Sequence, residues 1–207
     1  MVVQDWEENK EIEIPLDETK TLKETASKYY KLFAKSKDSR EKLAELEYGL
    51  RVEKEYIEQI KYSIDKAENL NVLKEIDSEI SFNTTPNKKE QDSTVESIEI
   101  NGFRVYIGKN NRQNDMIVSK LSRGEDYWFH TQNCAGSHIL LKVSDSNEPD
   151  ERTIYECCKL AKKYSTASES TKVGVIYTKR KNLKKPPKSN LGYVTYKNEK
   201  EIIVGDK

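Results

Sequence analysis

Ser97-Ile-Glu-Ile-Asn-Gly-Phe-Arg-Val-Tyr-Ile107 (SIEINGFRVYI) is two short alternating apolar runs joined by Asn101-Gly102. Asn-Gly readily supplies the two positive-φ residues of a type I′ turn, so the stretch predicts a β-hairpin. It marks a change of texture in the chain. Upstream, apolar residues recur with a helical period; downstream, strands and helices alternate.

The downstream pattern predicts a helix over 111–121 and strands near 127–131 and 138–143. A helix over 151–164 follows, with apolar Ile154, Cys157, Cys158 and Ala161 on one side. A strand is expected over 173–178, and a final hairpin is expected to pair Gly192–Tyr196 with Glu201–Val204. The order is ββαββαβββ, an α+β class.

Upstream, Leu22, Tyr29, Ser36, Leu43, Leu50, Ile57 and Ile64 form one heptad series. Thr25, Leu32, Ser39, Leu46, Glu53, Ile60 and Ala67 form the other. Such a run predicts a coiled-coil helix of roughly 75 Å, started by the capping box Thr21-Leu-Lys-Glu24. Gly49 should weaken it by ~1 kcal/mol relative to Ala, and the Ser36/Ser39 layer is a second weak point. Val72–Ile80 is too short to cover the stripe, so the partner is an upstream helix or a second copy of the chain, unless the helix folds back on the C-terminal domain, which could hide only part of its length. Glu11-Ile-Glu-Ile14, closed by Pro15, reads as a short strand whose partner must come from elsewhere. Segments 1–16 (a strand remnant), 17–81 (the helical segment), 82–94 (a polar linker) and 95–207 (the α+β domain) are the expected divisions.

The chain has 207 residues, of which 35% are hydrophobic and 35% charged, so part of it is solvated on most sides. Residues 1–92 carry 16 Lys+Arg against 22 Asp+Glu, and residues 93–207 carry 20 against 14. The basic half is the nucleic-acid candidate. Three cysteines without extracellular spacing suggest reduced thiols. No apolar run approaches the ~20 residues that cross a bilayer. The expectation is a soluble cytoplasmic chain with no membrane partner.

Three stretches concentrate functional side chains. Asp126-Tyr-Trp-Phe-His-Thr-Gln-Asn-Cys-Ala-Gly-Ser-His138 holds both histidines. His130, Cys134 and His138 would line one helix face, but Gly136-Ser137 breaks a helix and no fourth zinc ligand stands nearby. The reading is a strand–turn–strand with Trp128 inward, Tyr127 and Phe129 on the opposite face, Trp128 and His130 ordering the RNA-binding surface beside His138, and Gly136, Ser137 and His138 near a bound partner. Gly108-Lys-Asn-Asn-Arg-Gln-Asn-Asp115 leaves a strand and enters a helix, a natural anion site through Lys109, Asn110, Asn111 and Arg112. Lys179-Arg-Lys-Asn-Leu-Lys-Lys-Pro-Pro-Lys188 packs six cations into ten residues. Lys179, Arg180, Lys181, Lys184, Lys185 and Lys188 suit a phosphate backbone, and Tyr177, Tyr193 and Tyr196 beside them suit bases. A solvated loop is the bland alternative. Paired carboxylates and phosphate-cradling glycine loops are absent from the sequence, so the expectation is no enzyme, no cofactor and no metal.

These three motifs, GKNNRQND, DYWFHTQNCAGSH and YTKRKNLKKPPKSNLGYVTY, together resemble the C-terminal R domain of the NFACT family. That family includes bacterial fibronectin-binding-protein homologues and the eukaryotic nuclear export mediator factor. IEIPLDETKTLKETASKYYKLFAKSK resembles the end of the family's middle domain and its second coiled-coil helix. Ala135 departs from the family's usual Pro, and Thr131-Gln-Asn133 from Ala-Lys-Asp. The resemblance implies ribosome-associated quality control: an RNA-binding module engaging large ribosomal subunits obstructed by peptidyl-tRNA, with rRNA and/or tRNA as partners. It also implies that the family's N-terminal and helix-hairpin-helix domains and its first coiled-coil helix lie outside these residues. No tail-elongating activity is then expected of this piece. The family's name raises fibronectin binding as an alternative, and a protein-interaction role for the coiled coil is another.

Overall fold

A computed structural model of the chain describes residues 1–5, 9–16, 19–82, 94–144 and 147–205. Most of the expected linker, residues 83–93, lies outside the described residues. The structure divides into two compact units, residues 1–52 and 53–207.

In the first unit, β1 (Val2–Asp5) pairs antiparallel with β2 (Lys10–Glu13), from Val2 opposite Glu13 to Asp5 opposite Lys10. This corrects the expectation of a lone strand. The partner of Glu11-Ile-Glu-Ile14 is the chain's own N-terminal residues, whose short VVQD run is too weak a pattern to read as a strand. Helix α1 (Leu22–Asp65) begins in this unit at the expected capping box, Thr21 N–H donating to Glu24 at 2.9 Å and Glu24 N–H to Thr21 Oγ1 at 3.3 Å. The hydrogen bonds to Thr21 hold the Glu24 carboxyl below its usual range. The helix runs unbroken through Ser36, Ser39 and Gly49. Leu22, Leu43, Leu46 and Leu50 are about 60% exposed, so these stripe positions have no cover among the described residues, whereas Thr25 and Ile60 are buried.

The second unit is α+β. It holds the end of α1 and α2 (Leu70–Phe82), then β3 (Glu96–Ile100), β4 (Phe103–Ile107), α3 (Asn111–Met116), β5 (Tyr127–Thr131), β6 (Ile139–Leu141) and α4 (Glu151–Lys163). The chain then forms β7 (Lys172–Lys179), β8 (Leu183–Lys184), β9 (Thr195–Tyr196) and β10 (Lys200–Gly205). A π-turn, Ile117–Leu121, extends α3. Asn101 and Gly102, at φ +50° and +81°, make the expected β3–β4 turn. Six strands form one antiparallel sheet in the order β10-β7-β5-β6-β4-β3.

The expected final hairpin is not formed. β9 pairs with β8, and β10 pairs with β7, adding one short strand to the expected order. Val204 of β10 is buried in the core that Val173 and Val175 of β7 also enter, and Ile202 packs against it. The long strand β7 therefore takes β10 as its outer neighbour, a pairing the local alternation does not specify.

Strand periodicity sorts side chains onto two faces. Val105, Ile107, Phe129, Ile139, Leu141 and Val175 meet Cys157, Cys158 and Ala161 of α4. On the opposite face Trp128, Leu140 and Ile176 meet Ile117, Val118 and Leu183. Trp128 thus faces away from Phe129 and Tyr127, as the alternation predicts.

Candidate nucleic-acid interface

The turn between β5 and β6 is closed by protein on several sides. Ser137 N–H donates to Tyr164 C=O at 2.8 Å, Thr166 N–H to Ala135 C=O at 2.9 Å, and Gly136 N–H to Gln59 of α1 at 2.8 Å. A Cβ on Gly136 would stand 2.9–3.0 Å from Thr131, Tyr164 and Ser165, so glycine permits the close approach. Gly136, Ser137 and His138 are buried, and Tyr62 of α1 covers the turn, its phenol pushed up to about 12 mainly by burial. These three residues therefore contact protein, where the sequence expectation has them facing a partner.

Behind the turn, Trp128 stacks on His130 (ring centroids 5.7 Å apart, interplanar 4°) and meets His138 edge-on at 5.2 Å. Burial pushes both histidines down from 6.5, His138 well below it. Near neutral pH they are uncharged rings that shape the site. Among the described residues no group of three or more His, Cys, Asp or Glu side chains converges as a metal would require. Cys134 is part-buried.

The Lys109–Asp115 turn joins several segments. Asn110 caps α3, its Oδ1 accepting Gln113 N–H at 2.9 Å, while Gln113 Oε1 accepts Lys109 N–H at 3.0 Å. Asn110 Nδ2 donates to Glu75 at 2.8 Å and Asn111 Nδ2 to Glu79 at 2.9 Å. Lys109 pairs with Glu68 and Glu96, each at 2.7 Å, and Arg112 donates to Ser78 at 3.3 Å. Asn114 Oδ1 accepts His138 N–H, and Asp115 contacts Lys185 and Gly192 N–H. Asn110 and Asn111 are buried, and carboxylates from the α1–α2 segment fill the expected anion site. Sequence reasoning missed these acids, although Glu75 and Glu79, four residues apart, share one helix face.

The third motif is organised around Arg180. Its Nε donates to Val118 C=O and Ser122 Oγ, both at 2.8 Å, and an Nη to Leu183 C=O at 3.2 Å. Arg180 is therefore a clamp between the π-turn and β8. Lys179 pairs with Glu125 and Glu148, Lys181 with Glu125, and Lys185 with Asp115. Hydrogen bonds to these lysines hold Glu125 and Glu148 below the usual carboxylate range. Lys184 and Lys188 are exposed and have no acidic partner among the described residues. Tyr196, opposite Leu183 on the β8–β9 ribbon, leans on Trp128 at 5.9 Å. The ribbon root is fixed by Asn182 Nδ2, which donates to Thr178, and by Thr178 Oγ1, which donates to Lys197 C=O.

Residues 94–198, which hold all three motifs, match the family model described as the NFACT protein RNA binding domain. The chain belongs to the NFACT family. Residues 1–96 match the NFACT N-terminal and middle domains, so the resemblance read from the motifs is met across the chain. The chain is 32% identical to the Rqc2 homolog RqcH of Bacillus subtilis, over 96% of this chain and 36% of that protein. It is 31% identical to a coiled-coil domain-containing protein 25 homolog of Dictyostelium discoideum, over 47% of this chain and 48% of that one. Among solved structures, the C-terminal part of the fibronectin/fibrinogen-binding protein from Streptococcus suis superposes with a TM-score of 0.76 at 26% identity. That match covers 90% of this chain and 77% of the other. The chain spans little more than a third of the length of its RqcH relatives. No helix among the described residues is long and apolar enough to cross a membrane.

Proposed function

We propose that this chain is the RNA-engaging portion of a ribosome-associated quality-control factor. It acts without catalysis in the cytoplasm, on large ribosomal subunits obstructed by peptidyl-tRNA and on tRNA. The observation that carries this reading is the cation segment 179–188 within the NFACT RNA-binding domain. Of its six cations, Lys179, Lys181 and Lys185 pair with the three carboxylates Glu125, Glu148 and Asp115, and Lys184 and Lys188 project without an acidic partner among the described residues. Counterion release from phosphates favours such a surface. The Trp128–His130–His138 ring cluster supports the ribbon that carries these lysines. The exposed stripe of α1 receives a second helix, either an upstream one or a second copy of the chain.

Co-sedimentation of the chain with purified large subunits across a KCl series tests the reading. Binding that weakens steeply with salt, and weakens further in Lys184→Ala/Lys188→Ala, is the expected result. Binding indifferent to salt and to these lysines would defeat it. Fibronectin binding is the second reading, motivated by the name of the Streptococcus suis neighbour. Capture by immobilised fibronectin, with no binding to ribosomal subunits, would favour it.

A further inference from the structure

The Lys109–Gln113 turn presents donors alone to α2, and its own geometry dictates this. Asn110 and Gln113 each have one amide oxygen, and both oxygens are used within the turn, on Gln113 N–H and Lys109 N–H. Their NH2 groups therefore point outward, whatever lies opposite. With Asn111 Nδ2, Lys109 Nζ and the Arg112 guanidinium, five side chains offer nitrogen to the same segment. A surface of donors without acceptors fits an anion.

Its occupant here is acidic. Glu68, Glu75 and Glu79 accept from it, and Glu75 and Glu79 are held about 6 Å apart by their i, i+4 spacing on a helix. The fit is incomplete, because Glu79 Oε2 and Arg112 Nε are buried without hydrogen-bond partners. Burial also pushes the Glu79 carboxyl up, against the pull of Asn111, Tyr56 and Arg112. Among the described side chains of α2, Ile76 is buried, while the large apolar Leu70, Leu73 and Ile80 are 40–65% exposed. Polar contacts thus form much of the hold on α2.

We propose that the Lys109–Gln113 turn is a second phosphate-binding surface for RNA, and that α2 covers it competitively, with Glu75 and Glu79 standing where phosphodiester oxygens would sit. The proposal rests on the RNA-binding reading above. Strand phosphates can satisfy the same nitrogens and add the oxygens that Arg112 Nε lacks. RNA engagement and α2 docking then exclude each other.

The test uses the full chain and unfractionated tRNA. Glu75→Gln/Glu79→Gln keeps one acceptor oxygen on each residue but removes the charge, so it should tighten tRNA binding about tenfold and steepen its salt dependence. Glu41→Gln/Glu45→Gln, which removes two exposed charges from α1, should change it little. Adding Asn111→Ala and Arg112→Ala to the first variant should cancel the gain. In the unaltered chain, saturating tRNA should lower hydrogen-exchange protection across residues 70–82. Unchanged or increased protection there would overturn the proposal even if the variants fold poorly. Unchanged affinity in a well-folded Glu75→Gln/Glu79→Gln variant would overturn it as well. If the unaltered chain binds no tRNA and no large subunit, the RNA-binding reading itself falls, and the cover falls with it.

Discussion

Asn114 holds His138 by its backbone: the Asn114 side-chain oxygen accepts the His138 N–H at 2.9 Å, with both residues buried. The neighbouring Asp115 binds Lys185 and Gly192, so one helical turn ties the three motifs together. Asn114→Ala leaves a buried N–H without its acceptor, which should cost about 2–3 kcal/mol. Urea denaturation followed by circular dichroism measures this.

Gly108 and Gly49 should respond oppositely to alanine. A Cβ on Gly108 would stand 2.2 Å from Asn114 Oδ1 and 3.0 Å from Asn114 N, whereas one on Gly49 meets nothing within 4 Å. Gly108→Ala should destabilise the α+β unit by about 2 kcal/mol or more through overpacking. Gly49→Ala should favour α1 by about 1 kcal/mol. Comparing the melting and the helicity of the two variants tests both signs.

Acid should loosen the α+β unit early. The folded pKa of His138, and to a lesser degree of His130, lies below 6.5, so below that pH the unfolded chain binds protons that the folded chain refuses. Stability is then present above pH 6.5 and is lost as pH falls from there toward the folded values. Each histidine can contribute up to about 1.4 kcal/mol per pH unit in that window. Tm should fall between pH 7.5 and 5.5, and His138→Gln should flatten the fall.

Within one cation-rich segment, Arg180 and Lys184 should differ in kind. Arg180→Ala removes three hydrogen bonds from a charged donor that clamp Val118, Ser122 and Leu183 together, and should cost about 2 kcal/mol of stability. Lys184→Ala and Lys188→Ala should leave Tm unchanged. Together they should lower the slope of log affinity against log salt by about 1.4–1.8 if each meets one phosphate.

Thiol reactivity should separate the three cysteines. Burial raises Cys157 and Cys158 to about 12, so neither is appreciably ionised in the folded state. A thiol reagent at pH 8 should modify Cys134 first, with the other two reacting only on unfolding. Three equal fast phases would contradict the buried α4 core.

The sequence made the local elements legible where local chemistry decides them. Asn101-Gly102 specifies its turn, Thr21–Glu24 its cap, and the alternation around Trp128 its face. Pairing between distant strands was less legible. Glu201–Val204 reads equally well beside Thr195–Tyr196 or beside Val173–Tyr177, and only packing under α4 selects the second. Charge counting found the basic half of the chain but not the use of each cation. Lys109 and Arg180 look like surface residues in sequence, because an acceptor of each, Glu68 and the Val118 carbonyl, lies 41 and 62 residues away. The carboxylates of α2 were invisible for the same reason.

The position of β5 between β6 and β7 has a consequence for biogenesis. β5 meets β6 soon after synthesis, but its other neighbour, β7, ends at Lys179, and β10 must still follow to seal the core beneath α4. Such non-local pairing slows folding, since the intervening chain must be ordered before contacts form. On a translating ribosome at about 5–20 residues per second, Trp128 would remain without its β7 neighbours for several seconds. A nascent domain in this state exposes unpaired strand edges and apolar faces, the features that favour aggregation until β7 and β10 are in place.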